Sequence, residues 1–171
     1  DLFRAIRARQ VSVVTDQIET STETGIRLKS GGELDADLVV TATGLALQLL
    51  GGMTVEVDGK AIDPADTLAY KGMMYSDMPN FAMVSGYTNA SWTLKADLVC
   101  EYVCRLLNHM QKNGLRQCTP RLDDPDMERL PWVDFSSGYI QRAADKFPKQ
   151  GARRPWRLHQ NYAMDLMSLR Y

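Results

Sequence analysis

With 171 residues, 44% hydrophobic and 24% charged, the chain is long enough to enclose one sizeable core and has a soluble, globular composition. A formal net charge of −1 and a pI near 6.1 give no broad attraction for polyanions, so nucleic acid and anionic membrane surfaces are disfavoured as partners. No apolar run approaches the roughly 18 residues of a spanning helix, and the three cysteines, Cys100, Cys104 and Cys118, form no CxxC and no metal-ligand spacing with histidine.

This cysteine usage fits a reducing, cytoplasmic setting, and no metal site is expected. Asp1-Leu2-Phe3-Arg4 lacks the pattern of a secretory signal, and a start without Met suggests a fragment of a longer protein. Residues 1–10 mix Leu2, Phe3, Ala5 and Ile6 with Arg4, Arg7 and Arg9, as the last turns of a surface helix would. Val11-Ser12-Val13-Val14 is a short β-like run. Alternation about Ile18 and again over Ile26-Arg27-Leu28-Lys29, with turns at Thr24-Gly25 and Ser30-Gly31-Gly32-Glu33, predicts a small antiparallel meander. Asp37-Leu38-Val39-Val40-Thr41-Ala42 is apolar throughout, which predicts a strand buried on both faces as in a parallel sheet. It ends at Thr43-Gly44, where the glycine serves either an ordinary turn or the close approach of backbone to a ligand. A boundary is expected near Gly44.

An apolar connection from Leu45 to Gly52 leads to a hairpin, Thr54-Val55-Glu56-Val57 and Lys60-Ala61-Ile62 around Asp58-Gly59, closed by Asp63-Pro64. Tyr70, Met73, Met74, Tyr75 and Met78 form a cluster suited to a core or, less commonly, a substrate pocket. Asn80-Phe81-Ala82-Met83-Val84 reads as a strand that enters the small-residue loop Gly86-Tyr87-Thr88-Asn89-Ala90-Ser91. That loop opens into an amphipathic helix from Ser91, its N-cap, to about Asn113, stopped by Gly114. Leu94, Leu98, Tyr102, Leu106 and Met110, reinforced by Val99, Val103 and Leu107, mark its apolar stripe, and Asp97, Glu101, Arg105, Asn108 and Lys112 its solvated face. A helix start of this kind presents backbone N–H groups and partial positive charge to an anion or an electron-rich heterocycle.

Arg121 to Pro131 lacks the glycine and alternation of a calcium loop and reads as solvated. Ser136 to Lys146 and Leu158 to Arg170 are expected as short helices. Between them the basic segment 149–157 suits either a phosphate contact or a surface loop anchored by Trp156.

The chemistry is defined as much by what the chain lacks. There is no GxSxG, His109 and His159 have no nucleophile partner at motif spacing, Cys100 and Cys104 one helical turn apart are poorly placed for a bridge, and no GxGxxG or GxxxxGK[ST] loop occurs.

Four stretches nevertheless form a pattern: Asp37 to Gly44; Ala69-Tyr70-Lys71-Gly72-Met73-Met74; Pro79-Asn80-Phe81; and the run from Gly86 through Trp92-Thr93-Leu94-Lys95-Ala96-Asp97 to Leu98. With the tail motifs Pro148-Lys149-Gln150-Gly151, Pro155-Trp156-Arg157-Leu158 and Gln160-Asn161-Tyr162, this resembles the C-terminal part of flavin-containing monooxygenases, in particular the Baeyer–Villiger branch. The resemblance covers nearly the whole chain, and the run from Gly86 to Leu98 is its most specific part.

The resemblance implies an α/β flavoprotein with two dinucleotide-binding domains, of which this chain, α+β as an isolated fragment, carries a β-meander, a β-hairpin and one long amphipathic helix. Residues 1–44 would be the end of the NADPH-binding domain and its return linker. Residues 45–171 would be the C-terminal part of the FAD-binding domain with a C-terminal extension. FAD would accept hydride from NADPH and, through a C4a-peroxyflavin, deliver one oxygen atom of O2 to a ketone or a sulfur compound. Thr43, Gly44, Gly86, Tyr87, Thr88, Asn89, Ala90, Ser91 and Trp92 are the implied cofactor-binding residues, with Tyr87 facing flavin, substrate or core. No catalytic residue is assigned within the chain, because both glycine-rich loops and the family's catalytic arginine would lie upstream. The fragment alone is expected to be inactive, and surfaces uncovered by truncation would favour self-association. Two other readings are a noncatalytic interaction domain derived from this family and a disulfide reductase with the same domain plan, the latter disfavoured by the lack of a redox pair here.

Overall fold

The computed structural model describes residues 1–133 and 136–170. Contacts divide the chain into two units, Asp1–Thr43 and Gly44–Tyr171. In the first, the exposed helix α1 (Leu2–Arg7) precedes the antiparallel meander β1 (Ile18–Ser21), β2 (Gly25–Leu28) and β3 (Glu33–Asp35), in the order β1-β2-β3. Ile26 faces Leu34 across the sheet, and Arg27 reaches Glu33 at 2.9 Å. The meander forms as expected and β2 alternates, but β1 is exposed throughout, with Ile18 57% exposed, and Gly25 and Glu33 begin strands rather than lying in the turns.

Two expected strands do not form. Val11-Ser12-Val13-Val14 and Asp37 to Ala42 join no ladder among the described residues, and Leu38 and Val40 are each 80% exposed. A strand apolar on both faces needs neighbours that take up its backbone hydrogen bonds and cover its side chains. No described segment supplies them, so the apolar run lies open.

In the second unit, β4 (Val55–Val57) and β5 (Lys60–Ile62) pair with Val55 opposite Ile62. Asp58 and Gly59 both have positive φ, 51° and 75°, as a two-residue primed turn requires. Asp63 accepts a hydrogen bond from the Ala65 N–H at 2.9 Å and opens a 3₁₀ turn, Pro64–Asp66. The short hairpin β6 (Ala69–Tyr70) and β7 (Met74–Tyr75) then carries the methionine and aromatic cluster inward: Met73, Met74, Tyr75 and Met78 are all buried. Of its two readings, the core one holds. Asn80 to Val84 is not a strand; it is tied to this hairpin by the Met83 N–H donated to the Met73 carbonyl at 2.8 Å, by the Tyr75 hydroxyl donated to Met83 Sδ at 2.6 Å and by Phe81 packed on Tyr75.

Helix α2 (Trp92–Lys112) buries Leu98, Val99 and Met110, with Tyr102, Val103 and Leu106 packed alongside. Leu94 and Leu107, assigned to its stripe by sequence, are 38% and 57% exposed, and Lys95 is buried instead. At its end the Leu115 N–H bonds to the Met110 carbonyl (2.9 Å) and the Gly114 N–H to that of Gln111 (3.3 Å), a Schellman closure with Gly114 at φ +65°. The acidic loop contributes a strand that the sequence reading did not anticipate: β8 (Arg129–Pro131) pairs antiparallel with β9 (Lys149–Gly151). Between them runs α3 (Gly138–Ala143), and Trp156 is buried with Leu68 and Met127, so the basic segment is anchored by its tryptophan. The last helix, α4 (Tyr162–Arg170), packs on α2 through Leu166 and Leu169. Arg170 forks onto Glu101 with two bonds of 2.8 Å, and Arg105 donates to the Leu169 carbonyl, so part of the polar face of α2 holds α4 rather than facing only solvent.

Among the described residues all the paired strands are antiparallel, and the single parallel contact is the bridge Leu68 to Lys149. The described chain is thus mixed helix and strand in small sheets, without the parallel layer expected around Asp37 to Ala42. At Gly114 no atom stands within 4 Å of an added Cβ, so Gly114→Ala is expected to cost about 1 kcal/mol through left-handed backbone strain alone. A denaturant midpoint equal to the parent's would contradict that closure.

Candidate functional site

The loop before α2 is shaped by Gly86. An added Cβ there would lie 2.1 Å from Trp92 Cγ, so only glycine lets the indole of the first helical residue lie against the backbone. Trp92 remains 62% exposed, while Tyr87 is buried at 3%. Tyr87 Oη donates to Asp165 Oδ2 at 2.8 Å, and Lys95 Nζ lies 2.8 Å from the same oxygen. Burial, then the bond to Asp165, pushes the Tyr87 hydroxyl well above the ordinary phenol range. It remains a donor at any physiological pH.

Gln160 makes the second connection. Its Oε1 accepts from the Thr88 N–H (3.0 Å) and Thr88 Oγ1 (3.2 Å), and its backbone carbonyl accepts from Asn89 Nδ2 (3.2 Å). Residues 87–89 are therefore held by residues 160 and 165, more than 70 positions away. Ser91 occupies the N-cap position but bonds to Thr93 Oγ1 at 2.8 Å and caps no first-turn amide with its side chain. The start of α2 keeps donors for an acceptor from outside the helix.

Gly86, Tyr87, Thr88 and Trp92 form part of the wall of a cavity of about 510 Å³, completed by apolar side chains that include Leu50, Met83, Trp132 and Phe147. That volume and lining are those of a small-molecule or cofactor site. A flat, largely apolar ring with an electron-rich carbonyl edge matches both the wall and the uncapped helix start, so these residues fit the ring end of a flavin. The Thr88 N–H is already committed to Gln160.

Of the other expected contacts, Asn89 holds Gln160, and Ala90 and Ser91 are exposed at the loop's outer turn. Thr43 ends the first unit, and Gly44, at φ +92°, begins the second with its Cβ direction 3.5 Å from Tyr139, a residue of the cavity wall. The sequence reading missed Lys95, Gln160 and Asp165. Two of these carried a signal: Lys95 lies three and four residues before Leu98 and Val99, and Asp165 four before Leu169, so each charge sits on its helix's apolar stripe and requires a buried partner. Among the described residues no group of His, Cys, Asp or Glu could hold a metal, and no helix is long and apolar enough to cross a membrane.

Asp165→Leu strands the Lys95 ammonium in a site where both side chains are under a tenth exposed; the expected loss is about 3–5 kcal/mol. Lys95→Met combined with Asp165→Leu is expected to recover most of it. Denaturation of the intact protein checks this order, and a loss below about 1 kcal/mol for the single change would contradict it.

No protein-family model matches the chain, and no solved structure matches it. Curated relatives do. The FAD-containing monooxygenase EthA of Mycobacterium tuberculosis (strain ATCC 25618 / H37Rv) is 57% identical over 170 residues, 99% of this chain and 35% of the relative. EthA of Mycolicibacterium smegmatis is 53% identical over 171 residues, 100% of this chain and 35% of its own length. A protein named Probable FAD-binding monooxygenase AlmA, from Acinetobacter baylyi, is 51% identical over 171 residues, 99% of this chain and 34% of the relative. The chain thus spans about a third of the length of the relatives it matches. At this identity over nearly its whole length, the chain corresponds to part of an FAD-containing monooxygenase.

Proposed function

We propose that the intact protein containing this chain is an FAD- and NADPH-dependent monooxygenase of the Baeyer–Villiger type. It would place one oxygen atom of O2 into a ketone or onto a sulfur compound, in the cytoplasm. The observation that carries this reading is the loop Gly86 to Trp92, which opens into uncapped first-turn amides of α2 while lining the apolar cavity of about 510 Å³. The names of the relatives support the cofactor.

Bound FAD would supply the redox and oxygen-activating chemistry. This chain's residues would do the rest of the work at the ring. The first-turn amides of α2 hold fixed dipoles where negative charge collects on a carbonyl edge. Apolar residues such as Met83, Trp132 and Phe147 exclude water from the cavity. Gly44, Gly86, Thr88 and Trp92 are the contacts proposed for the cofactor, Thr43 marks the link from the NADPH-binding domain, and Asn89, Ala90 and Ser91 complete the loop. Tyr87 acts from behind, through Asp165. Residues 1–44 and 45–171 would be the end of the NADPH domain and the C-terminal part of the FAD domain with its extension. The exposed Leu38, Val39 and Val40 would be covered by the rest of a parallel sheet, and would drive association of the isolated chain.

The test is to purify the intact protein and add NADPH with a ketone or a sulfide. The expected result is flavin absorbance and NADPH oxidation that rises with substrate, while the 171-residue chain alone shows neither. Absence of both from the intact protein would overturn the reading.

A further inference from the structure

A second, smaller cavity, of about 30 Å³, shares Ser85, Gly86 and Tyr87 with the apolar one but has a different character. Lys71, Lys95, Arg154 and Arg157 all line it, and Asp165 is its one carboxylate. That carboxylate already serves Lys95 and Tyr87. The other three cations have no anionic partner among the described residues: Lys71 Nζ donates to the Ser168 carbonyl at 2.5 Å, Arg154 Nε faces His159 Nε2 at 3.4 Å, and no bond or ion pair engages the Arg157 side chain. Four like charges gathered around one small cavity repel one another unless an anion joins them.

We propose that this cavity binds a single phosphate-type oxyanion. With Lys95 shared with Asp165, two guanidinium forks and the Lys71 ammonium still line the cavity, a donor set that suits the four oxygens of a tetrahedral oxyanion better than the two of a carboxylate. A cavity of about 30 Å³ takes one head group and no more. Arg154 and Arg157 are exposed, so the mouth lies at the surface and the rest of a ligand can remain outside. None of the four cations lines the apolar cavity, so this site stands independently of the flavin reading.

His159, on the same wall, provides a local reporter. Burial holds its imidazole below the ordinary histidine value, Arg154, Arg157 and Lys95 add to that, and Asp165 opposes it. A bound oxyanion offsets the cations, so the His159 pKa rises on binding.

The experiment follows the His159 imidazole by NMR in the intact protein while inorganic phosphate is added against chloride at matched ionic strength, with adenosine 2′,5′-bisphosphate as a second arm. The expected result is an upward shift of the His159 titration with phosphate but not chloride. In the double variant Arg154→Gln/Arg157→Gln, half-saturation is expected to move at least about tenfold higher, with an unchanged unfolding midpoint since both arginines are exposed. Arg157→Lys should retain most of the binding. If the bisphosphate binds more tightly than phosphate and loses that advantage in the double variant, the site takes a nucleotide's phosphate; equal affinities mark a free-anion site. No shift with either ligand, the same shift with chloride, or an unaltered response in the double variant would each overturn the proposal.

Discussion

A lysine ammonium and an aspartate carboxylate meet 2.8 Å apart with side chains 7% and 8% exposed, and the architecture around the candidate site depends on their staying together. Neither charge could be buried alone. Lys95 is in the first turn of α2 and Asp165 in the first turn of α4, so the pair sets where the last helix begins relative to the loop that precedes the long one. The Tyr87 hydroxyl completes the carboxylate's partners and brings the loop into the same arrangement. Along the remaining length of the two helices, Leu98, Val99, Leu166 and Leu169 supply the apolar contact, and Glu101 and Arg105 fasten the far end.

This arrangement separates two environments across one short stretch of backbone. Ser85, Gly86 and Tyr87 border both the large apolar cavity and the small cationic one. The ordered polar contacts of the loop, to Gln160 and Asp165, are made by residues that come after the acidic loop and the basic segment. A site formed at the start of α2 is therefore supported from the chain's end. Residues 160 and 165 thereby hold the loop in place.

Legibility in the sequence followed the range of the forces involved. The Asp58-Gly59 turn, the meander about Ile26 and the stop at Gly114 depend on neighbours within a few residues, and each appears where local pattern places it. Asp37 to Ala42 has a strand's composition, yet its ladder would have to come from segments the described chain does not contain, and it lies exposed. The strand Arg129–Pro131 was hidden for the opposite reason: it is defined by its partner Lys149–Gly151 and not by its own charged sequence. At the site, Gly86 to Trp92 was legible as a motif. Its supports were not, although Lys95 and Asp165 each interrupt an apolar stripe; reading such a charge as a demand for a buried partner would have found the pair. The stripe of α2 lies where the sequence places it from Leu98 to Met110, apart from the exposed Leu107, but in the first turn Leu94 was taken as inward where Lys95 is buried.

The chemical role assigned to the chain rests on one geometric relation between the start of α2 and the ring of a bound flavin. A structure of the intact protein with FAD measures it directly. The expected result is the ring in the cavity beside Gly86, Thr88 and Trp92, its carbonyl edge hydrogen-bonded to a first-turn amide of α2, with Tyr87, Asp165 and Lys95 joined behind the loop. A flavin ring bound elsewhere, without contact to residues 86–92, would contradict it.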